Sequence, residues 1–515
     1  MRFKAAIAFL ILPTVLLFCS CETVKHFNAH INDSRNVESL RADVDFAHKK
    51  LVKLHPSLYR YISKQDLDYK FDSLKAALKA PMTSREFFFV LSPVIASVRQ
   101  GHARLFQIQR EPNKVETRKV RINGTSPVTK LQLGWFDNKL YLTERTPLDS
   151  TLDVGTEIVS IDSIRPQDIF RKYRPTFSSD GFNTTFHDRY IQKRFAQYQY
   201  FETGLRDSVL CQVKSKDAER EVWLRQPRLE KKKSADSSQI SKKVKRIQGF
   251  DNQTRNLSKS LHFTDSDSTI AVLTIRDFTK GNCRAFYKES FRIIDSVHSK
   301  ALIIDIRNNT GGNIHDIRTL YSYLAQNKFK LVTSPIVTSK TSLWRNPFSN
   351  ITSPLQLAFR ILFIPDIILF DAIDLLITNK AKDGKYHLLY PASWEMEPKS
   401  NSFKGKVYVL INGCSFSASS VLSANLKGSN RATFVGEETG GSSNSCVAGS
   451  MPSFKLPGSK LRLAFGLLEI GTPYVFTPDG RGILPDVEIK PTLTDRIKGV
   501  DPEMKWVLLD ISGAK

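Results

Sequence analysis

At 515 residues the chain is longer than one hydrophobic core ordinarily serves, so two or three domains are expected. A content of 41% hydrophobic and 10% aromatic residues excludes a chain disordered throughout. The formal charge of +25 invites a nucleic-acid reading, but the lysines and arginines are scattered, with no helix-turn-helix, zinc-finger or single-strand-binding pattern, so no nucleic acid is expected as partner.

Residues 1–21, MRFKAAIAFLILPTVLLFCSC, place Arg2 and Lys4 before an uncharged apolar run from Ala5 to Phe18. The run is too short for a comfortable membrane span and reads as a secretory signal. Its LFCSC ending resembles the bacterial lipoprotein signal. That resemblance implies lipidation of Cys21, which follows the small Ser20, whereas Cys19 follows bulky Phe18. A periplasmic or outer-membrane lipoprotein of the cell envelope, held to the membrane through a lipid anchor, is the expectation. The later cysteines, Cys211, Cys283, Cys414 and Cys446, form no C-x-x-C motif. A Cys414–Cys446 disulfide and free buried thiols both stay open.

Residues 35–110 read as a helical region. Apolar residues recur every three or four positions in VESLRADVDFAHKKLVKL, and Pro56 ends that pattern. Further helices are predicted in DLDYKFDSLKAALKA and, after Thr83-Ser84, in SREFFFVLSPVIASVRQ. GHARLFQIQ then turns toward strand. Residues 117–225 change to a small β domain: TRKVRINGT, KLQLGWF, KLYLTER, EIVSID and SVLCQVKS alternate or run β-branched between Asn, Asp and Gly turns. The piece LDSTLDVGTEIVSIDSIRPQDI resembles a PDZ-like module, which implies capture of an extended peptide at a sheet edge.

Residues 226–265 hold a basic, Ser- and Lys-rich stretch that reads as a solvated linker. From 266 to 495 strand and helix patterns alternate: TIAVLTI, RAFYKESFRIIDSVHS, KALIIDIR, IHDIRTLYSYLAQN, VYVLING, SASSVLSANLKG, ATFVGEETGG and KLRLAFGLLEIG. Such alternation, with near-continuously apolar strands, predicts an α/β domain. Residues 340–395 interrupt it with LQLAFRILFIPDIILFDAIDLLITN. Arg360, Asp366, Asp371 and Asp374 argue against a membrane span. An amphipathic helical insertion packed over the α/β domain as a lid is expected, with contact at a membrane surface as the other reading.

No P-loop, dinucleotide fingerprint or zinc-peptidase motif occurs, so neither a cofactor nor a metal is expected. Chemistry concentrates at two turns. In VLINGCSFSASSVLSANLKG an apolar strand enters a helix through Ser415, Ser417, Ser419 and Ser420. A serine at such a junction either caps the helix or stands near its free N–H groups and positive dipole end. DIRNNTGGN likewise ends a strand in Gly311-Gly312, where backbone N–H groups can approach a substrate oxygen.

DIRNNTGG, SASS, GEETGG and GILPD, in this order, closely resemble the motifs of the C-terminal processing (tail-specific) proteases and the tricorn core proteases. The resemblance implies a ClpP/crotonase-like α/β core after a PDZ-like β domain and helices, and serine endopeptidase activity on peptide or protein substrates. It places the nucleophile at Ser417, and the oxyanion hole at the Ser417 backbone N–H with Gly311 or Gly312. Tail-specific proteases carry a lysine where this chain has Ser442, so the tricorn-like branch with a histidine base fits better. Its G-H pair corresponds to Gly101-His102, making His102 the expected base. Asp479 is the expected acid orienting it, with Glu469 as the alternative. A non-catalytic peptide- or lipid-binding member of the same superfamily is the rival reading. The sequence leaves substrate preference and oligomeric state open.

Overall fold

The structure, a computed structural model, describes residues 24–215, 218–226, 241–251, 256–264, 266–344, 359 and 361–513. Residues 1–21 with Cys21, and the centre of the basic linker, lie outside the described residues.

The early helical periodicity is realised as helices Val37–Leu54, Lys64–Ala77 and Ser84–Ala96. Side chains of Asn36, Ser63 and Thr83 cap their N-termini, and Thr83 forms a capping box with Glu86. Leu40, Val44, Ala47 and Leu51 line one face of the first helix. They join Phe87, Leu91 and Ile95 in the same core as the strands of the later sheet. The helical region is therefore welded to the α/β region by burial, at about 1.5–3 kcal/mol per large apolar side chain.

The α/β region is built on a six-stranded sheet in the order 487–488, 433–436, 406–411, 301–305, 270–275, 259–263. Neighbours are parallel except at the 259–263 edge, which pairs antiparallel with Ile270–Ile275. Strand Ala301–Asp305 is buried at every position, as its unbroken apolar run predicts. Helices Cys283–Ser296, Ile314–Ser322 and Ala418–Gly428 connect these strands.

A five-stranded antiparallel sheet, 133–136, 139–142, 157–161, 208–215 and 218–225, follows the helical region and has its own core. One expected strand is absent. TRKVRINGT falls largely in helix Lys114–Asn123, because Asn113 and Glu116 form a capping box and Gly124 ends the helix in a positive φ of 84°. KLRLAFGLLEIG is likewise not one strand. Arg462–Ala464 and Leu468–Gly471 belong to different sheets, parted at Gly466, where a Cβ would meet the Ala448 nitrogen at 2.5 Å.

The first of those halves does something no local pattern announced. Arg462–Ala464 pairs antiparallel with Arg104–Phe106, in register Leu463 to Leu105. Asp43 accepts hydrogen bonds from the Gly458 and Ser459 N–H groups at 2.7 and 2.6 Å, and Ser84 Oγ donates to the Ser459 carbonyl. These contacts return the front of the chain to the C-terminal ends of the parallel strands. Among the described residues of the expected insertion, helix Ile364–Ile377 contributes no buried residue, and residues 345–358 and 360 lie outside the described residues.

Candidate active site

Strand Lys406–Ile411 delivers the serine turn to the end of the parallel sheet. Three of its four serines are consumed by structure. Ser415 Oγ donates to the Ile306 carbonyl at 2.9 Å, Ser419 Oγ to Asn309 at 2.8 Å and Ser420 Oγ to Ser415 at 3.0 Å. All three are buried. Ser417 differs. It holds the N-cap position of helix Ala418–Gly428, yet its side chain makes no capping bond. Its backbone sits at φ 57° and ψ −119°, a region that costs a non-glycine residue roughly 1–3 kcal/mol. The bend turns its Oγ out of the helix and to within 3.1 Å of His102 Nε2.

His102 is brought there by the pairing of Arg104–Phe106 described above. Close approach of Gly101 to the serine turn assists, since a Cβ on Gly101 would meet Phe416 Cζ at 2.5 Å. Phe416 in turn packs against His102 and Phe186, linking the serine turn to the core of the antiparallel domain. Burial, and then the nearby Arg104 guanidinium, push the His102 pKa down to about 3. The imidazole is thus held in its neutral form, with Nε2 at hydrogen-bond distance from the Ser417 hydroxyl. Arg104 itself donates to the Gly101 carbonyl at 2.8 Å and to Tyr190 Oη at 2.7 Å.

The Gly-rich turn after Ala301–Asp305 abuts the same serine. Asn309 organises it: its Oδ1 accepts from Gly311 N–H at 2.9 Å, its Nδ2 donates to Ile275, and its carbonyl accepts from Phe416 N–H. Asn412 adds a second tie, accepting from Asn308 N–H and donating to Asn308 Oδ1. A Cβ on Gly311, at φ 102°, would lie 2.7 Å from Ser417 Cβ. Gly441 also crowds this point, since a Cβ there would come within 3.0 Å of the Ser417 nitrogen.

The two carboxylates expected to orient the base lie elsewhere. Asp479 takes a two-pronged bond from Arg60, at 2.9 and 3.0 Å, and a third from Asn444. Glu469 accepts from Arg60 at 2.6 Å, from Ser445 at 3.2 Å and from Ser57. Both line a cleft of about 560 Å³ whose walls include Arg60, Asn444 and Tyr474 but neither Ser417 nor His102. His102 Nδ1 is buried without a hydrogen-bond partner among the described residues. The arrangement is therefore a serine–histidine pair, with Asp479 and Glu469 spent on Arg60.

A third carboxylate, not singled out in the sequence, is built into the site. Asp180 is fully buried and accepts from Gly101 N–H at 2.7 Å and from Ser442 N–H at 3.4 Å. It ties the loop bearing His102 to the turn that passes over Ser417. Burial raises its pKa to about 6, against the lowering effect of those two N–H groups. Its segment, SSDGF, reads locally as an ordinary Asp-Gly turn, so no sequence signal marks it. Ser442, at the position of the tail-protease lysine, is buried beside it. Cys414 and Cys446 are free and buried. Among the described residues no group of side chains could hold a metal ion.

Residues 269–492 match the model of Peptidase family S41. No curated protein matches the chain. Two solved structures of mature CPAF, one complexed with lactacystin, superpose with TM-scores of 0.59 and 0.57 at 15% identity. They cover 93% and 92% of this chain and 99% and 96% of their own. The photosystem II D1 C-terminal processing protease aligns at a TM-score of 0.40 and 15% identity, over 88% of this chain and 93% of its own. The α/β region thus has the fold of an S41 peptidase, set behind a helical region and an antiparallel sheet.

Proposed function

We propose that the chain is a serine peptidase of Peptidase family S41 that cleaves peptide bonds by acyl transfer. The observation that carries this reading is the 3.1 Å approach of Ser417 Oγ to His102 Nε2, made by a strained serine beside Gly311-Gly312. Ser417 Oγ attacks the scissile carbonyl as its proton passes to His102 Nε2. The tetrahedral oxyanion takes hydrogen bonds from the N–H of Ser417 and from the Gly311-Gly312 turn, reinforced by the N-terminus of helix Ala418–Gly428. The imidazolium returns the proton to the leaving amine. Water, deprotonated by the same ring, then releases the acyl group and frees Ser417.

The antiparallel domain that follows the helical region is assigned the PDZ-like role of presenting peptide ends. Residues 1–21 are assigned to export, and Cys21 to a lipid anchor in the cell envelope.

The competing reading is a non-catalytic ligand carrier. The unpartnered His102 Nδ1 and the strongly lowered His102 pKa favour it, because nothing stands ready to stabilise an imidazolium. Labelling with a fluorophosphonate probe separates the two. The peptidase reading expects covalent labelling of the wild type, its loss in Ser417→Ala and a rate reduced at least roughly a hundredfold in His102→Ala. No labelling of the wild type, or labelling that survives in Ser417→Ala, overturns it.

A further inference from the structure

Phe177 and Phe186 belong to the core of the antiparallel domain. The segment near them, residues 178–184, spends its bonds elsewhere, on the loops of the serine–histidine pair. Gly181 N–H donates to the Arg99 carbonyl at 2.8 Å, and Phe182 N–H to the Gly480 carbonyl at 2.7 Å. Asn183 Nδ2 donates to the Thr439 and Gly440 carbonyls at 3.1 and 3.0 Å. All of these are neutral groups. Asp180 is the one acidic residue of the segment and is fully buried. Its two oxygens address the two halves of the pair. Oδ1 accepts from the N–H of Gly101, the residue before His102, at 2.7 Å. Gly101 is itself wedged between the serine turn and this segment, since a Cβ built on it would meet Phe416 at 2.5 Å and the Ser178 carbonyl at 3.1 Å. Oδ2 accepts from the N–H of Ser442, the residue after Gly441, at 3.4 Å. A Cβ on Gly441 would stand 3.0 Å from the Ser417 nitrogen.

We infer that Asp180 is a positioning residue for the Ser417–His102 pair, and that residues 178–184 are a strap by which the antiparallel domain holds base and nucleophile in register. The inference rests on the peptidase reading. Asp180 touches no reacting atom; it acts through His102, one residue beyond the N–H it holds. Two acceptor oxygens fixed in one plane are what a carboxyl group supplies and an amide does not. Burying that group carries a desolvation cost. The bonds of Gly181, Phe182 and Asn183 show that neutral groups suffice to fasten the strap to its neighbours. The carboxyl group stands instead where the base loop and the turn over Ser417 share one rigid acceptor. Without it, both loops lose the same reference point, and the 3.1 Å approach of Ser417 Oγ to His102 Nε2 loses its brace.

The rate of fluorophosphonate labelling tests this in a double-mutant cycle on the full chain. Asp180→Ala, folded at the assay temperature, should label about a hundredfold more slowly than the wild type, as expected of a displacement near 1 Å. Asp180→Asn, which keeps one acceptor oxygen, should lose about tenfold. In the His102→Ala background neither substitution should slow labelling by more than about a further twofold, because the group that Asp180 positions is gone. On a peptide substrate the loss should fall on kcat, with KM within about twofold of the wild type. Should Asp180→Ala fail to fold, Asp180→Asn carries the same cycle. Equal slowing with and without His102 would assign Asp180 to folding alone and overturns the inference. So does labelling of the variants as fast as the wild type, which leaves the peptidase reading standing. Absence of labelling in the wild type removes the peptidase reading, and this inference with it.

Discussion

Replacing Asp180 by asparagine removes a buried charge while keeping the outline of the side chain. In the folded chain this carboxyl titrates near 6, against an ordinary value of 3.8. Between those values the folded state binds more protons than the unfolded state. The stability contributed by this group is therefore largest below the unfolded value and declines as pH rises through 3.8 to about 6. The gap corresponds to roughly 3 kcal/mol at full ionisation, of which about 2 kcal/mol develops between pH 4 and pH 8. Asparagine can still accept from Gly101 N–H, but it turns an amide toward Ser442 N–H, a loss of roughly 1–3 kcal/mol that does not vary with pH. Thermal unfolding of both proteins across this pH range reads the difference. For a cooperative unit of about 150–250 residues, the Tm of Asp180→Asn should gain roughly 4–8 °C on the wild type between pH 4 and pH 8. Parallel pH profiles would show that Asp180 carries no raised pKa, and would remove it as the charged strut between the base loop and the Ser442 turn.

Gly311→Ala should keep the fold and lose activity, because its Cβ would press on Ser417 Cβ at 2.7 Å and on Phe416 O at 2.8 Å. A displacement approaching 1 Å costs on the order of a hundredfold in rate, to be read as kcat/KM on a peptide substrate or as probe-labelling rate. His102, held down at about 3 by burial and Arg104, should set an acid limb of kcat/KM far below pH 6. Arg104→Gln should move that limb upward, since the cation helps to lower the histidine, and a wild-type limb near pH 6.5 would contradict this account.

Much of the architecture could be read from the chain without coordinates. Apolar periodicity placed the helices of 37–96 and the strands 270–275, 301–305 and 406–411, because period and burial are written within a single window of residues. Where periodicity was weak, capping decided instead, as at Asn113 and Glu116, and a strand expectation became a helix. Within the serine turn, sequence alone offered four hydroxyls. Only hydrogen bonding to Ile306, Asn309 and Ser415 shows that three are spent and that Ser417 faces the histidine.

What the sequence by itself determined is therefore most of the elements and the order of the glycine and serine turns, with Ser417 and His102 as expectations. What only the tertiary structure decided is which distant groups meet. The pairing of Arg104–Phe106 with Arg462–Ala464 carries His102 to Ser417; Arg60 captures Asp479 and Glu469; Asp180 braces the two loops; and an apolar helix faces outward. The physical reason is that these outcomes are set by partners hundreds of residues apart. Carboxylates go to the cation that packing places nearest, and an apolar stripe is buried only where another element has room to cover it.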